Sequence, residues 1–258
     1  MKVLIICTSG PADVLANEMN APKKRKTLDD FFLSNKPPAQ SKPSSASHPQ
    51  TVPGLRILTD FVTAAEEETL LGYLDNRAWR TDLSRRVIHY GGTYCLMPPR
   101  TATPEERKKI ENTILTAQPI PGEMDHLISR MIGYALYSHT SAPNFCIVNE
   151  YKDRQGISAH VENFRFKSPV CGLTLCQGDW MRFHELVKAD DGSVRSGKAS
   201  QAQRTGRKVD VWMPRRSLLV LEGEAREKWQ HEIVRSKRDR KAADWRRVSL
   251  TFRTDTSG

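Results

Sequence analysis

Apolar positions along the chain follow two different periods, and the change from one to the other divides the sequence. After Gly54, an apolar run over 55–61 suits a strand. Thr63 with Glu66 forms a capping box, and Leu70, Leu71 and Leu74 follow at helical spacing, predicting a helix. Thr103-Pro104 with Glu106 opens a second helix, carrying Ile110 and Ile114. Met124, Leu127, Ile128, Met131, Ile132, Ala135 and Leu136 mark the apolar face of a third. Beyond it the period drops to two, and strands are predicted over 145–151, 170–176, 180–184, 209–213, 217–221 and 247–254. Helices followed by short strands of antiparallel length predict an α+β domain whose strands close as a sandwich or jelly roll. Trp180, Trp212, Trp229 and Trp245, in or beside these strands, are expected in the core. Residues 189–208 form a polar, Gly/Ser-rich excursion between strands.

Residues 1–52 keep neither period. They are rich in Pro, Ser, Ala and Lys, and such a composition does not offset the entropy of ordering, so a disordered arm is expected, with one domain over 53–258. No internal repeat is visible.

Charge and cysteine usage narrow the class. The chain of 258 residues carries a formal net charge of +10. The arm is only modestly basic, so most of the excess lies on the domain, which favours a polyanionic partner, nucleic acid above all. Its five cysteines (Cys7, Cys95, Cys146, Cys171 and Cys176) form no compact disulfide framework. A soluble protein of a reducing compartment is expected. The run over 3–7 is too short for a signal-peptide core, and no stretch approaches the ~20 apolar residues of a membrane span.

Three local patterns carry chemistry. His160-Val161-Glu162 sits at an expected strand end, where alternation would point imidazole and carboxylate the same way. These are two ligands of a facial triad, and His231 is the best candidate for the third. By itself H-x-E is a weak signal, and an accidental pairing in which His160 merely caps a strand is the ordinary account of it. In the last strand Arg247, Ser249, Thr251 and Arg253 share one face and Val248, Leu250 and Phe252 the other. That polar face is either a solvated surface or, in a closed sheet, an interior lining whose arginines need an anion such as a small dicarboxylate. Asn149 and Tyr151 are co-facial on the strand leading to His160 and suit the same ligand. Cys171 and Cys176 fall on opposite faces, so together with His184 they read as buried thiols and not as a zinc site.

Taken in order, Asn149-x-Tyr151, His160-x-Glu162, His231 and the Arg247…Arg253 strand resemble the AlkB family of iron(II)- and 2-oxoglutarate-dependent dioxygenases, over about residues 54–254. The resemblance implies a double-stranded β-helix with supporting N-terminal helices and iron on His160, Glu162 and His231. It implies 2-oxoglutarate held by Asn149, Tyr151, Arg247 and Arg253, with Ser249 and Thr251 grouped beside them, and O2 as the second cosubstrate. Arg85, Arg86, His89, Tyr90 and Tyr94 resemble the family's segment ahead of the core and are the candidate substrate contacts; core tyrosines and a solvated arginine pair are the competing account. The family usually has Asp where this chain has Glu162, which keeps open a catalytically weak nucleic-acid- or clamp-binding module.

The activity so implied is oxidative demethylation of N-alkylated bases, by a monomer that extrudes the base or acts on single strands. Pro22-Lys23-Lys24-Arg25-Lys26 resembles a nuclear import signal, and Leu28, Phe31 and Phe32 resemble a sliding-clamp-binding box without its leading Gln. Together they point to the nucleus and to DNA. Basic runs over 195–208 and 235–241 suit a phosphate track, or are simply solvated loops. The stretch from Ser217-Leu218-Leu219 through Gly223-Glu224 to His231 also resembles AlkB relatives acting on tRNA wobble positions, so an RNA base oxygenase is the alternative. A protein side-chain oxygenase ranks third.

Overall fold

A computed structural model describes residues 51–96, 98–99, 101–190, 202–235 and 244–255, all within the unit Pro49–Gly258. The import-like cluster and Leu28, Phe31 and Phe32 lie outside the described residues, as do Arg195 and Lys198. No helix among the described residues is long and apolar enough to cross a membrane.

Strand β1 (Leu55–Leu58) leads into helix α1 (Ala64–Asp75). Its capping box is formed: the Thr63 hydroxyl accepts the Glu66 N–H at 3.2 Å, and the Glu66 carboxylate accepts that of Thr63 at 2.8 Å. Strands β2 (Arg86–Tyr90) and β3 (Thr93–Cys95) come next, then helix α2 (Pro104–Glu111), capped in the same way by Thr103 and Glu106. Helix α2 ends before Ile114, which instead opens β4 (Ile114–Thr116) and is 67% exposed. Helix α3 (Asp125–Gly133) is shorter than the apolar periodicity predicts, because Ala135 takes a left-handed φ of 54° that no helix continues. Strands thus interleave with the helices. They do not simply follow them.

The remaining strands are β5 (Phe145–Lys152), β6 (Ile157–His160), β7 (Val170–Cys176), β8 (Asp179–Leu186), β9 (Arg204–Met213), β10 (Leu218–Leu221), β11 (Trp229–Ile233) and β12 (Arg246–Arg253). A short helix, α4 (Gly223–Glu227), joins β10 to β11. One sheet runs β1-β10-β7-β12-β5-β2 and the second β6-β11-β8-β9, with every described pairing in them antiparallel. This is an α+β double-stranded β-helix.

Each face of the six-stranded sheet has its own core. Val248, Leu250 and Phe252 of β12 pack with Cys146, Val148 and Leu173 against Leu70, Leu74, Leu127 and Met131 of α1 and α3. On the other face Val170, Leu219 and Leu221 meet Met181, Phe183, Val209, Trp229 and Ile233 of the smaller sheet. Alternation in β12 therefore sends its apolar residues to the helices and its polar row into the sandwich. Trp229 is buried as expected, but Trp180 and Trp212 are 56% and 45% exposed, their rings 5.4 Å apart. They are cross-strand neighbours on the face of β8 and β9 that points away from the sandwich.

Candidate metal centre and cosubstrate cavity

Strands β6 and β11 pair with His231 opposite His160, their ring centroids 4.4 Å apart. Glu162 lies beyond the end of β6, so strand alternation is not what aligns it with His160; the chain leaves the ladder first. Its Oε1 nevertheless sits 3.6 Å from His231 Nε2 and 4.0 Å from His160 Nε2. Among the described residues these three form the one cluster suited to a metal ion, with candidate ligand atoms within 4.8 Å of one another.

Protonation in the cluster fits ligation. His160 Nδ1 lies 2.8 Å from the Ser158 carbonyl, which fixes the proton on Nδ1 and leaves the Nε2 lone pair facing Glu162. Burial, then the neighbouring His231, lowers the His160 pKa to about 4 against the pull of Glu162. Burial alone would raise the Glu162 pKa, but the Arg253 charge and hydrogen bonds from His231 and Arg253 outweigh it and hold the carboxyl ionised. Two imidazoles and one carboxylate are the donor set of a non-haem iron(II) facial triad, so the residues present fit that ion.

A cavity of about 50 Å³ is lined by Glu162 and His231 together with Arg247, Ser249 and Thr251 of β12, and by Met213 and Leu219. Arg247 is 2% exposed and bonds the Thr174 hydroxyl at 3.0 Å and the Met213 sulfur at 3.6 Å. It forms no ion pair among the described residues, and burial lowers its pKa. A buried guanidinium on a cavity wall with no carboxylate in ion-pair contact, the Asp179 charge acting on it only from a distance, is a standing site for an anion. Arg253 is placed differently: it pairs with both Glu162 oxygens, at 2.7 and 3.1 Å. Asn149 accepts from Arg85 Nε at 2.7 Å, and the Tyr151 ring centroid lies 5.8 Å from the guanidinium of Arg85 and 5.4 Å from that of Arg247.

The candidate substrate residues divide by strand parity. Arg86 and Tyr90 face away from the cavity, which corrects their assignment. Arg86 pairs with Glu150 at 2.5 Å on the helix side, and Tyr90 is buried in that core. His89 has the opposite parity: it lies opposite Ile147, which lies opposite Thr251 of the cavity wall. Its ring stacks on Tyr94 at 4.5 Å and 10°, with the Arg80 guanidinium 4.4 Å over Tyr94 and donating to His89 Nδ1 at 3.0 Å. Burial, then Arg80 and Arg253, lowers the His89 pKa to about 4, so the stack is neutral at its histidine. Arg80 was not singled out from the sequence, since no periodicity or motif marks it. Cys171 is buried, Cys176 is half-buried, and His184 bonds Glu232 at 2.7 Å, so the three do not converge.

The family model for the 2OG-Fe(II) oxygenase superfamily matches residues 54–253. An Arabidopsis thaliana protein named alkylated DNA repair protein ALKBH8 homolog is 33% identical, over 78% of this chain and 58% of its own. A Xenopus tropicalis tRNA (carboxymethyluridine(34)-5-O)-methyltransferase alkbh8 is 29% identical, over 74% of this chain and 27% of its own. The structure titled OsALKBH1 shares the fold, with a TM-score of 0.50 at 15% identity over 78% of this chain and 98% of that one. The chain belongs to the 2OG-Fe(II) oxygenase superfamily, dioxygenases that use Fe(II), 2-oxoglutarate and O2. Within it, the chain is a member of the AlkB family. It spans little more than half of the Arabidopsis relative and about a quarter of the Xenopus one.

Proposed function

We propose that this protein oxidatively demethylates N-alkylated nucleic-acid bases, with DNA as the leading substrate. The observation that carries this reading is the His89–Tyr94–Arg80 stack on the same sheet face as the cavity wall, two strands from Thr251. Methylated bases are out of reach inside a duplex, so the enzyme needs an extruded or single-stranded base and a flat surface to receive it.

Iron on His160, Glu162 and His231, with 2-oxoglutarate and O2, supplies the oxidising chemistry. With these bound, the net exchange would place one oxygen atom of O2 on the N-methyl carbon and the other in succinate, with release of CO2. The hydroxymethyl group departs as formaldehyde and the base nitrogen regains its hydrogen. Arg247 neutralises the far carboxylate of the cosubstrate, with Ser249 and Thr251 completing the wall. The neutral His89 and Tyr94 orient the base, and the apolar Met213 and Leu219 keep water from the cosubstrate.

DNA is favoured by the arm, whose import-like cluster and Leu28, Phe31 and Phe32 suit a nuclear repair protein recruited by the sliding clamp. The name of the Arabidopsis relative agrees. RNA is the second reading, favoured by the tRNA-modifying name of the Xenopus relative. A matched panel of N-methylated DNA and RNA oligonucleotides, read for formaldehyde and succinate with His231→Ala as control, decides between them. Turnover confined to RNA removes the DNA reading. Succinate without formaldehyde on every oligonucleotide removes both.

A further inference from the structure

Two residues past the end of β6, Glu162 depends on something other than the strand ladder for its position. The contacts of Arg226 supply it. Arg226 lies on α4, five residues before His231, and is 3% exposed. Its guanidinium reaches across to the segment after β6 and meets three carbonyls: Glu162 O at 2.9 Å, Asn163 O at 2.8 Å and Phe166 O at 3.1 Å. The Phe164 ring lies 5.3 Å from the same group. The segment is already a turn, closed by Phe166 N–H on Asn163 O at 3.0 Å, and the guanidinium fork gathers its carbonyls.

We propose that Arg226 is the positioning residue of the metal centre, setting the backbone of Glu162 so that its carboxylate meets the two histidines. The inference rests on the triad being the iron site. A glutamate side chain has one more rotatable bond than the aspartate usual in the family, so holding one end does not aim it. Arg253 fixes the carboxylate end at 2.7 and 3.1 Å, and Arg226 fixes the carbonyl end. The stretch from α4 into β11 thus delivers one ligand, His231, and the clamp on another. A lysine ammonium is a point charge and does not reproduce a planar fork spanning three carbonyls.

The test uses Co(II), a redox-inert probe, bound to the full chain and followed by calorimetry and visible absorption. Arg226→Lys and Arg226→Gln are expected to bind Co(II) about 10–100-fold more weakly, the range for residues that orient metal ligands. They are also expected to shift the absorption bands of bound Co(II). Millimolar guanidinium added to Arg226→Ala should recover part of both. Leu127→Ala, in the helix-side core, serves as the match for general destabilisation and should leave Co(II) affinity and spectrum as in the wild type. Wild-type affinity and spectrum in the Lys and Gln variants would overturn the inference while leaving the triad standing. Absence of Co(II) binding by the wild type itself would sink the triad and the inference with it.

Discussion

Arg253 grips Glu162 by two contacts, Nε to Oε2 at 2.7 Å and a terminal nitrogen to Oε1 at 3.1 Å, with both side chains buried. Breaking such a pair from one side leaves a buried charge uncompensated, at a cost of about 3–5 kcal/mol. Arg253→Met is therefore expected to lower the stability of the metal-free protein by about that amount in urea unfolding. A divalent ion then replaces the lost cation, so Mn(II) should raise the melting temperature of the variant more than that of the wild type. Equal Mn(II) shifts in the two proteins would show that Glu162 is not a ligand.

Arg247 behaves in the opposite sense. Its buried guanidinium has the Thr174 hydroxyl and the Met213 sulfur as partners and no carboxylate within ion-pair distance among the described residues. Replacing it with Met should leave the melting temperature of the metal-free protein unchanged or higher, while 2-oxoglutarate affinity falls by about 1.5–3 kcal/mol, the worth of a charged hydrogen bond. Arg247→Lys should recover little of it. Calorimetry of 2-oxoglutarate against the Mn(II)-loaded protein measures the loss, and undiminished affinity in Arg247→Met would empty the cavity of its assigned ligand.

The stacked His89 gives a pH signature. Its pKa in the folded protein is about 4, against an ordinary 6.5, with burial the main cause and Arg80 next. Because the unfolded chain takes up this proton first, the contribution of His89 to stability is complete above about pH 6.5 and is lost as pH falls towards 4. Imidazole NMR should show a midpoint for His89 near 4, and His89→Phe should flatten the stability curve across that window relative to the wild type. A midpoint at the ordinary histidine value would mean that the ring is solvated and not stacked.

The arm is expected to act separately from catalysis. Phe31→Ala combined with Phe32→Ala should abolish binding to the sliding clamp and leave turnover on free oligonucleotides unchanged. Without the leading Gln, about micromolar affinity or weaker is expected. Calorimetry of a peptide over residues 22–36 against the clamp checks this, and no heat at millimolar peptide removes that partner.

What could be read beforehand follows from how each feature is encoded. Strands β5, β7, β8 and β12 were legible because burial on at least one face imposes period two, and α1 and α2 because their caps are local hydrogen bonds between residues three apart. Strand β11 was not: it is short, and the polar His231 interrupts its apolar pattern, while β6 was legible only through its end at His160. Parity errors account for Arg86 and Tyr90, since a cluster of suitable residue types was assigned to one face although adjacent strand residues alternate. Arg80 and Arg226 left no signal. Arg226 bonds to backbone carbonyls about 60 residues away, and a carbonyl is the same at every position in a sequence.

Strand β12 has Val248, Leu250 and Phe252 locked under the helices and Arg247, Ser249, Thr251 and Arg253 on the opposite side. Its side chains alternate strictly, so inserting or deleting one residue inside the strand would exchange the two sets for everything beyond the change. An arginine would then be driven into the helix-side core while an aliphatic chain replaced it beside the candidate metal ligands. Substitutions in this strand can be graded, from mild to severe, but changes of length cannot. The number of residues between Arg247 and Arg253 is as much a part of the candidate site as the arginines themselves.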